Sequence, residues 1–273
     1  MPSAVIYTDM DGSLLDHFDY SHAAADALLQ ELEQSGIPVV PCTSKTRAEL
    51  LPIREELNNQ HPFIVENGAA IFVPKGYFPQ QPSDTDDHEG FWVKAFTRPH
   101  RHWVGLLEKL AHDFSNRFNS FSRLNTDEIM ALTGLEKTQA EQAAQREYGE
   151  PVQWIGNAPE KHRFIQALET QGARVLLGGR FLHVSGNCDK GSALRWLHRQ
   201  FADRLDGPPP LSLAIGDSQN DIAMLEAADH ALVIRSPAHP PPQLYRDDNT
   251  YLSKSTGPTG WNEGVRLFLQ HLN

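Results

Sequence analysis

The sequence predicts an α/β protein, a doubly wound, Rossmann-like parallel-sheet core interrupted by an inserted second domain. Three observations carry that prediction. Short β-branched apolar runs alternate with segments of helical period, the pattern of parallel strands joined by crossover helices. The first and later strands run out into aspartates and hydroxyls, at the edge where an open α/β sheet binds ligands. Between them, "QQPSDTDDHEG" (residues 80–90) has no apolar residue and suits a hinge, and the doubly wound pattern resumes only at residue 187. The predicted division is therefore a core of residues 1–84 and 187–273 around an insert of residues 85–186.

Each element follows from local pattern. "AVIYT" (4–8) reads as the first strand, and Ala24, Leu28, Leu29 and Leu32 recur at helical spacing before Gly36 closes that helix. "IPVVPC" (37–42) is a second strand, followed by a helix whose entry "TRAE" (46–49) fits a capping box. "PFIV" and "AAIFV" flank the turn signal "ENG" (66–68). Past the polar stretch, "FWVKAF" (91–96) is a strand, and helical patterns follow over 103–114, 126–132, 137–148 and 160–171. "ARVLLGG" and "RFLHVSG" (173–186) form a closing hairpin. "NCDKG" (187–191) starts another helix; strand "LSLAIG" (211–216), a helix from Ser218, strand "ALVI" (231–234) and a terminal helix over 260–272 complete the pattern. "PAHPPP" (237–242) is a brief extended segment.

Composition narrows the function classes. Lys and Arg number 24 against 35 Asp and Glu, a net charge of −11, which argues against general affinity for nucleic acid or anionic membrane. Any anionic substrate must therefore meet a local cluster of positive groups. Neither a signal peptide nor an 18-residue apolar span is indicated, so the expectation is a cytoplasmic protein. Two cysteines are too few for a disulfide framework, and no CxxC or HExxH suggests zinc. "HRHW" (100–103) is read as a solvated face in preference to a metal site.

The groups that could do chemistry gather at strand ends: Asp9 and Asp11 after the first strand, Thr43, Ser44 and Lys45 after the second, and Asp217, Ser218, Asn220 and Asp221 after "LSLAIG". Residues two apart in a strand point to the same side, so Asp9 and Asp11 repel unless a proton or cation lies between them. Four aspartates on one edge call for a hard divalent cation with oxygen ligands, Mg²⁺ above others, completed by a substrate phosphate. Each group has an ordinary reading alone: Asp-Gly turns, Ser218 and Thr43 as helix caps, Lys190 as a solvated lysine. Those readings do not predict their convergence. Gly12, beside the first aspartate, lets backbone and phosphate approach closely.

In order along the chain, "DMDGS" (9–13), Thr43, "DKG" (189–191) and "GDSQND" (216–221) resemble the four motifs of haloacid-dehalogenase-like phosphatases. An insertion between the second and third resembles the α+β cap of the Cof-like subgroup. Further blocks, "TSKTRAEL", "PFIVENGAAIF", "TGLEKTQAEQAAQREYGEPVQW" and "GGRFLHV", are similar to the mannosyl-3-phosphoglycerate phosphatase branch, so the resemblance spans nearly the whole chain. Ser13 stands where threonine is usual and Met10 at a position of varied apolar residues; both keep the local chemistry.

The resemblance implies an enzyme in which Asp9 attacks phosphorus, Asp11 is general acid and base, and Thr43 with nearby N–H groups grips phosphoryl oxygens. Lys190 would balance the charge on Asp9, while Asp9, the backbone carbonyl of Asp11 and Asp217 hold Mg²⁺. Asp221 would orient Lys190 or a metal-bound water, with Asn220 as a nearby hydrogen-bonding partner. The implied partner is a small phosphorylated sugar or glycosyl-phosphoglycerate, recognised through the insert. Ser44, Lys45, Glu66, Asn67 and Gly68 are placed on loops facing it, with Glu66, Asn67 and His183 candidates for sugar hydroxyls. Arg180, ahead of Arg163, is the candidate for a substrate carboxylate. Other sugar phosphates, a phosphomutase and a phospho-sugar-binding module without turnover remain alternatives.

Overall fold

The computed structural model describes residues 2–177, 181–204 and 208–272. The chain opens with β1 (Ala4–Thr8), α1 (Asp26–Gln34), β2 (Val39–Pro41), α2 (Arg47–Glu56), β3 (Phe63–Val65), β4 (Ala70–Pro74), β5 (Asp86–His88) and β6 (Phe91–Ala95). A second run comprises α3 (His100–Leu110), β7 (Phe118–Ser120), α4 (Thr126–Thr133), α5 (Lys137–Ala143), β8 (Glu150–Trp154), α6 (Ala158–Thr170), β9 (Arg174–Leu177) and β10 (Leu182–Ser185). It closes with α7 (Lys190–Arg204), β11 (Leu211–Gly216), α8 (Ile222–Ala227), β12 (His230–Arg235), β13 (Thr250–Thr256) and α9 (Gly257–Gln270).

The core is a five-stranded parallel sheet in the order β13-β12-β11-β1-β2, so the two ends of the chain meet around β1. β1 is buried throughout because its alternation feeds two clusters. Ala4 and Ile6 pack with Leu28, Trp261 and Phe268, while Val5 and Tyr7 pack with Leu194, Leu197 and Met224 on the other face. Trp261 on α9 is fully buried and donates its indole N–H to Thr8 Oγ1 at 3.0 Å, satisfying the one polar atom that burial would orphan. A parallel bridge from Cys42 to Ile64 joins this sheet to an antiparallel one ordered β3-β4-β6-β5.

The polar stretch at 80–90 differs from the expected hinge. Asp86–His88 forms β5, paired to β6 through its main chain although all three side chains are exposed. β6 in turn pairs with β4, so the expected boundary at 84/85 falls inside a sheet whose sequence reaches Ala95.

The second run forms an antiparallel sheet ordered β7-β8-β10-β9. The two helices α3 and α6 cover one face, where Trp103, Leu107, Phe164 and Leu168 meet Phe118, Val152, Leu182 and Val184. His183 lies between the last two, and period two turns it to the opposite face. There it sits opposite Pro151 and Leu176 and looks toward the core. Of "HRHW", Trp103 is core and His100 Nε2 pairs with Glu150 Oε2 at 2.5 Å.

Candidate active site

The main-chain turn after β1 places the first two acids. Leu15 N–H donates to Met10 O at 2.8 Å and Gly12 N–H to Leu15 O at 2.9 Å, a tight reversal that leaves Asp9 at the strand's end. Gly12 has φ +77°, and a Cβ there would lie 2.7 Å from Asp217 Oδ2. Glycine is required twice over, by backbone angle and by space.

α7 begins at Lys190 and points that lysine, fully buried, between two carboxylates: its Nζ is 2.6 Å from Asp9 Oδ1 and 2.6 Å from Asp221 Oδ1. Asp221 is fixed by its other oxygen, which accepts from Asp217 N–H at 3.1 Å and Ser218 N–H at 3.0 Å. The capping turn at Ser218 and the contact with Lys190 thus meet in one carboxylate. Oxygens of Asp9, Asp217 and Asp221 lie within 4.8 Å of one another.

Three buried carboxylates face one lysine, and the deficit of positive charge shows in Asp9 and Asp217. Burial first, then the charge of Asp221, pushes Asp9 well above the usual carboxylate range. Asp217 is pushed up to about 6 by burial and Asp221. Burial works against the Lys190 charge, but Asp221 and Asp9 together raise it above an ordinary lysine. His239 reaches in from the 237–242 segment, Nε2 at 3.4 Å from Asp217 Oδ2. This donor set, all hard oxygens and short of cations, fits a divalent ion of the Mg²⁺ kind. Asp11 Oδ1 adds a buried oxygen without a partner.

Asp11 stands outside that triad. Its side chain is 40% exposed and Oδ2 pairs with Lys45 Nζ at 2.9 Å, which raises Lys45 against the opposing effect of burial. Thr43, buried, accepts Lys45 N–H at 3.2 Å, and its own N–H donates to Ile64 O at 3.0 Å, so the bridge between the two sheets fixes it. Asn67 Oδ1 accepts from Asn220 Nδ2 at 3.0 Å, joining two of the expected contact residues beside the triad. Ser44 and His183 line a common cleft between β10 and the core loops.

Glu66 differs from its expected place among sugar contacts. It is buried, and its carboxylate accepts N–H groups of Glu147 (2.8 Å), Tyr148 (3.3 Å) and Gly149 (2.7 Å) and pairs with Arg146 Nε at 3.2 Å. It is spent on holding the inserted segment. Gly68 also proves structural: a Cβ there would lie 2.2 Å from Asp189 O, in the loop that presents Lys190. Arg180 lies outside the described residues. Arg163 is exposed on α6. Arg146 and His239 were not singled out by sequence. Arg146 sits within the block "TGLEKTQAEQAAQREYGEPVQW", which is the one signal that could have found it; His239 had none beyond its prolines.

A family model described as haloacid dehalogenase-like hydrolase matches residues 6–238. Two relatives named glucosyl-3-phosphoglycerate/mannosyl-3-phosphoglycerate phosphatase are similar over almost their whole length. The one from Methanococcoides burtonii is 33% identical, covering 96% of this chain and 95% of its own. The one from Persephonella marina is 34% identical, covering 98% of each. Among solved structures, a haloacid dehalogenase-like hydrolase from B. subtilis superposes with TM-score 0.65 at 19% identity, over 98% of this chain and 99% of that one. The sucrose-phosphatase from Synechocystis, in complex with sucrose and phosphate, does so with TM-score 0.58 at 14% identity over 98% of each. At those identities the structures speak for the fold.

Proposed function

The chain belongs to the haloacid dehalogenase-like hydrolase family, and from that membership we propose that it is a Mg²⁺-dependent phosphatase acting on a glycosyl-3-phosphoglycerate, mannosyl-3-phosphoglycerate first among them. The single observation that carries the mechanism is Lys190 bridging Asp9 and Asp221 beside Asp217. A lone catalytic acid would need no such cluster, whereas a nucleophile meeting a phosphate dianion does.

In the first step Asp9 attacks phosphorus. Its Oδ1 is held by Lys190, so Oδ2 forms the bond while the bond from phosphorus to the substrate oxygen breaks. Asp11 gives its proton to that leaving oxygen, and an alkoxide leaves slowly without it. In the second step water attacks the aspartyl-phosphate, Asp11 takes the water's proton, and the bond to Asp9 breaks to free phosphate. Thr43 and the adjacent N–H groups hold phosphoryl oxygens. Asp9, Asp217 and the backbone carbonyl of Asp11 would hold Mg²⁺, which supplies charge neutralisation for the meeting of two anions. Asp221 keeps Lys190 in place. The run from α3 to β10 closes over this centre and selects the leaving group.

The names of the two relatives support the substrate, and the cleft beneath β10 gives it room. The test is release of inorganic phosphate from glycosyl-phosphoglycerates, sucrose phosphate and hexose phosphates, with Mg²⁺ and with chelator. Turnover confined to the glycosyl-phosphoglycerates, lost on chelation and reduced at least about 10³-fold by Asp9→Asn, is the expected result. Phosphate returned to a sugar in place of water would make the protein a mutase; binding without release would make it a sensor.

A further inference from the structure

Two cavities adjoin beside the strand-end residues, one reaching Asp11 and the other Ser218 and Asn220, and they differ in chemistry. The smaller, about 180 Å³, is lined by Asp11, Lys45, Glu49 and Arg146 among apolar groups such as Phe121 and Leu135, with Ser44 and His183 also on its wall. The larger, about 610 Å³, has Asn67, Asn220 and His239 as polar walls and Leu176, Leu177 and Pro240 as apolar ones. Ser44 and His183 line both, so they mark the divide. At roughly 30 Å³ per water, these hold about six and twenty waters, one the scale of a three-carbon acid and the other of a sugar ring.

The acids in the smaller cavity are already engaged: Asp11 on Lys45 at 2.9 Å, and Glu49 Oε2 on Thr46 N–H at 2.8 Å. Arg146 is differently placed. Its side chain is 7% exposed and Nε is steadied by Glu66, while Nη1 makes only a 3.4 Å contact to Ser44 O. Its guanidinium lines the cavity, held from behind by an ion pair in which Nε makes no hydrogen bond. His183 Nδ1 is buried and without a partner at the same divide, a polar atom that a ligand would satisfy.

A glycosyl-3-phosphoglycerate has three groups on three carbons: phosphate on C3, carboxylate at C1, and C2 as the carbon left to bear the hexose. We propose that the cleft sorts these groups, with phosphate at Asp9, the carboxylate on the Arg146 fork in the smaller cavity, and the hexose in the larger one. The hexose finds amide and imidazole groups for its hydroxyls and an apolar wall for its ring face. This division rests on the substrate proposed above and makes Arg146 a specificity residue for it.

The experiment compares kcat/KM on mannosyl-3-phosphoglycerate, on its analogue with the carboxylate reduced to an alcohol, and on 3-phosphoglycerate, for wild type, Arg146→Gln and Arg146→Lys. Wild type is expected to favour the acid over the alcohol by about 10- to 100-fold. Arg146→Gln brings that ratio near one through KM, and Arg146→Lys falls between because it keeps charge without the fork. The same variant weakens 3-phosphoglycerate by a similar factor, since the hexose occupies a separate cavity. Loosening of the inserted domain through Glu66 would instead lower all three substrates together and leave the ratio, which overturns the inference. An acid-to-alcohol ratio near one in wild type also overturns it, as does an Arg146→Gln effect confined to the glycosylated acid. Wild type that releases no phosphate from any glycosyl-phosphoglycerate defeats the proposed substrate itself, and the division with it.

Discussion

Lys190 is the residue on which the charge balance turns. It is fully buried with a carboxylate on each side, and a third lies within reach. Removing one partner of a buried charged set is far more costly than its net worth, about 3–5 kcal/mol, because the others are left uncompensated. Lys190→Met should therefore lower the urea-unfolding free energy by about that amount in chelator, and Mg²⁺ should restore part of it; equal stability in chelator would mean that the carboxylates are neutral there. His183 gives a pH dependence of known sign. Burial, with the Arg146 charge nearby, pushes it down to about 4, against about 6.5 for an ordinary histidine. Between those values the unfolded chain takes a proton that the folded one refuses, so stability is whole at pH 7 and falls as pH drops toward 4. The expected loss from pH 7 to pH 5 is up to about 2 kcal/mol, and His183→Asn should remove that increment from the acid limb of unfolding curves. The triad was legible because each aspartate ends a recognisable strand or opens a helix. The Glu66 clamp was not, since its amide partners lie 81 to 83 residues away and nothing in "ENG" says that a turn carboxylate will be covered.

Elements with a buried face announced themselves, and the others did not. β1, β2, β11 and β12 are apolar runs, and the capping box at α2 is present as read: Thr46 Oγ1 accepts Glu49 N–H at 3.1 Å and Thr46 N–H donates to Glu49 at 2.8 Å. β5 is three exposed polar residues held by main-chain pairing, and so carries no hydrophobic signal. β8 holds Pro151 inside a four-stranded sheet, a residue that argues against a strand. β13 is an edge strand, half-buried and rich in serine and threonine, behind a proline-rich segment. The helical pattern of 137–148 stops at Ala143 in α5: Gln145 and Arg146 N–H turn to Gln142 O and Ala144 O, and the N–H groups of 147–149 then go to Glu66. Thr46 does more than cap: its hydroxyl also donates to Gln142 O on α5 at 2.9 Å. Thr46→Ala should cost about 1–2 kcal/mol for the lost cap and the lost bond to Gln142 O, whereas Thr46→Ser should cost a few tenths. Thermal unfolding of the three proteins checks it, and an alanine variant as stable as serine would show that solvent replaces both bonds.

At the scale of the whole molecule, what matters is how the run from α3 to β10 is registered on the parallel sheet to within a hydrogen bond. The helices α3 and α6 are occupied with the insert's own core, so its alignment falls to few groups. Arg47 reaches Glu147 at 2.7 Å, Thr97 Oγ1 accepts Gly186 N–H at 2.8 Å, and Glu66 takes three consecutive amides and a guanidinium. Of these, Glu66 is the buried one, and a buried carboxylate with three N–H donors and an arginine ion pair cannot be exchanged cheaply for water. It holds the segment that carries Arg146 over the cleft, so domain alignment and the placing of that guanidinium are one event. In Glu66→Ala the amides of Glu147, Tyr148 and Gly149 should lose about 10- to 100-fold of their hydrogen-exchange protection, while β1 and β11 amides, deep in the parallel sheet, keep theirs. Glu66→Gln retains an acceptor oxygen and should fall between, with KM rising more than kcat falls. Unchanged protection at residues 147–149 in the alanine variant would transfer the alignment to Arg47 and Thr97 and leave Glu66 free to meet substrate, as its position in the turn first suggested.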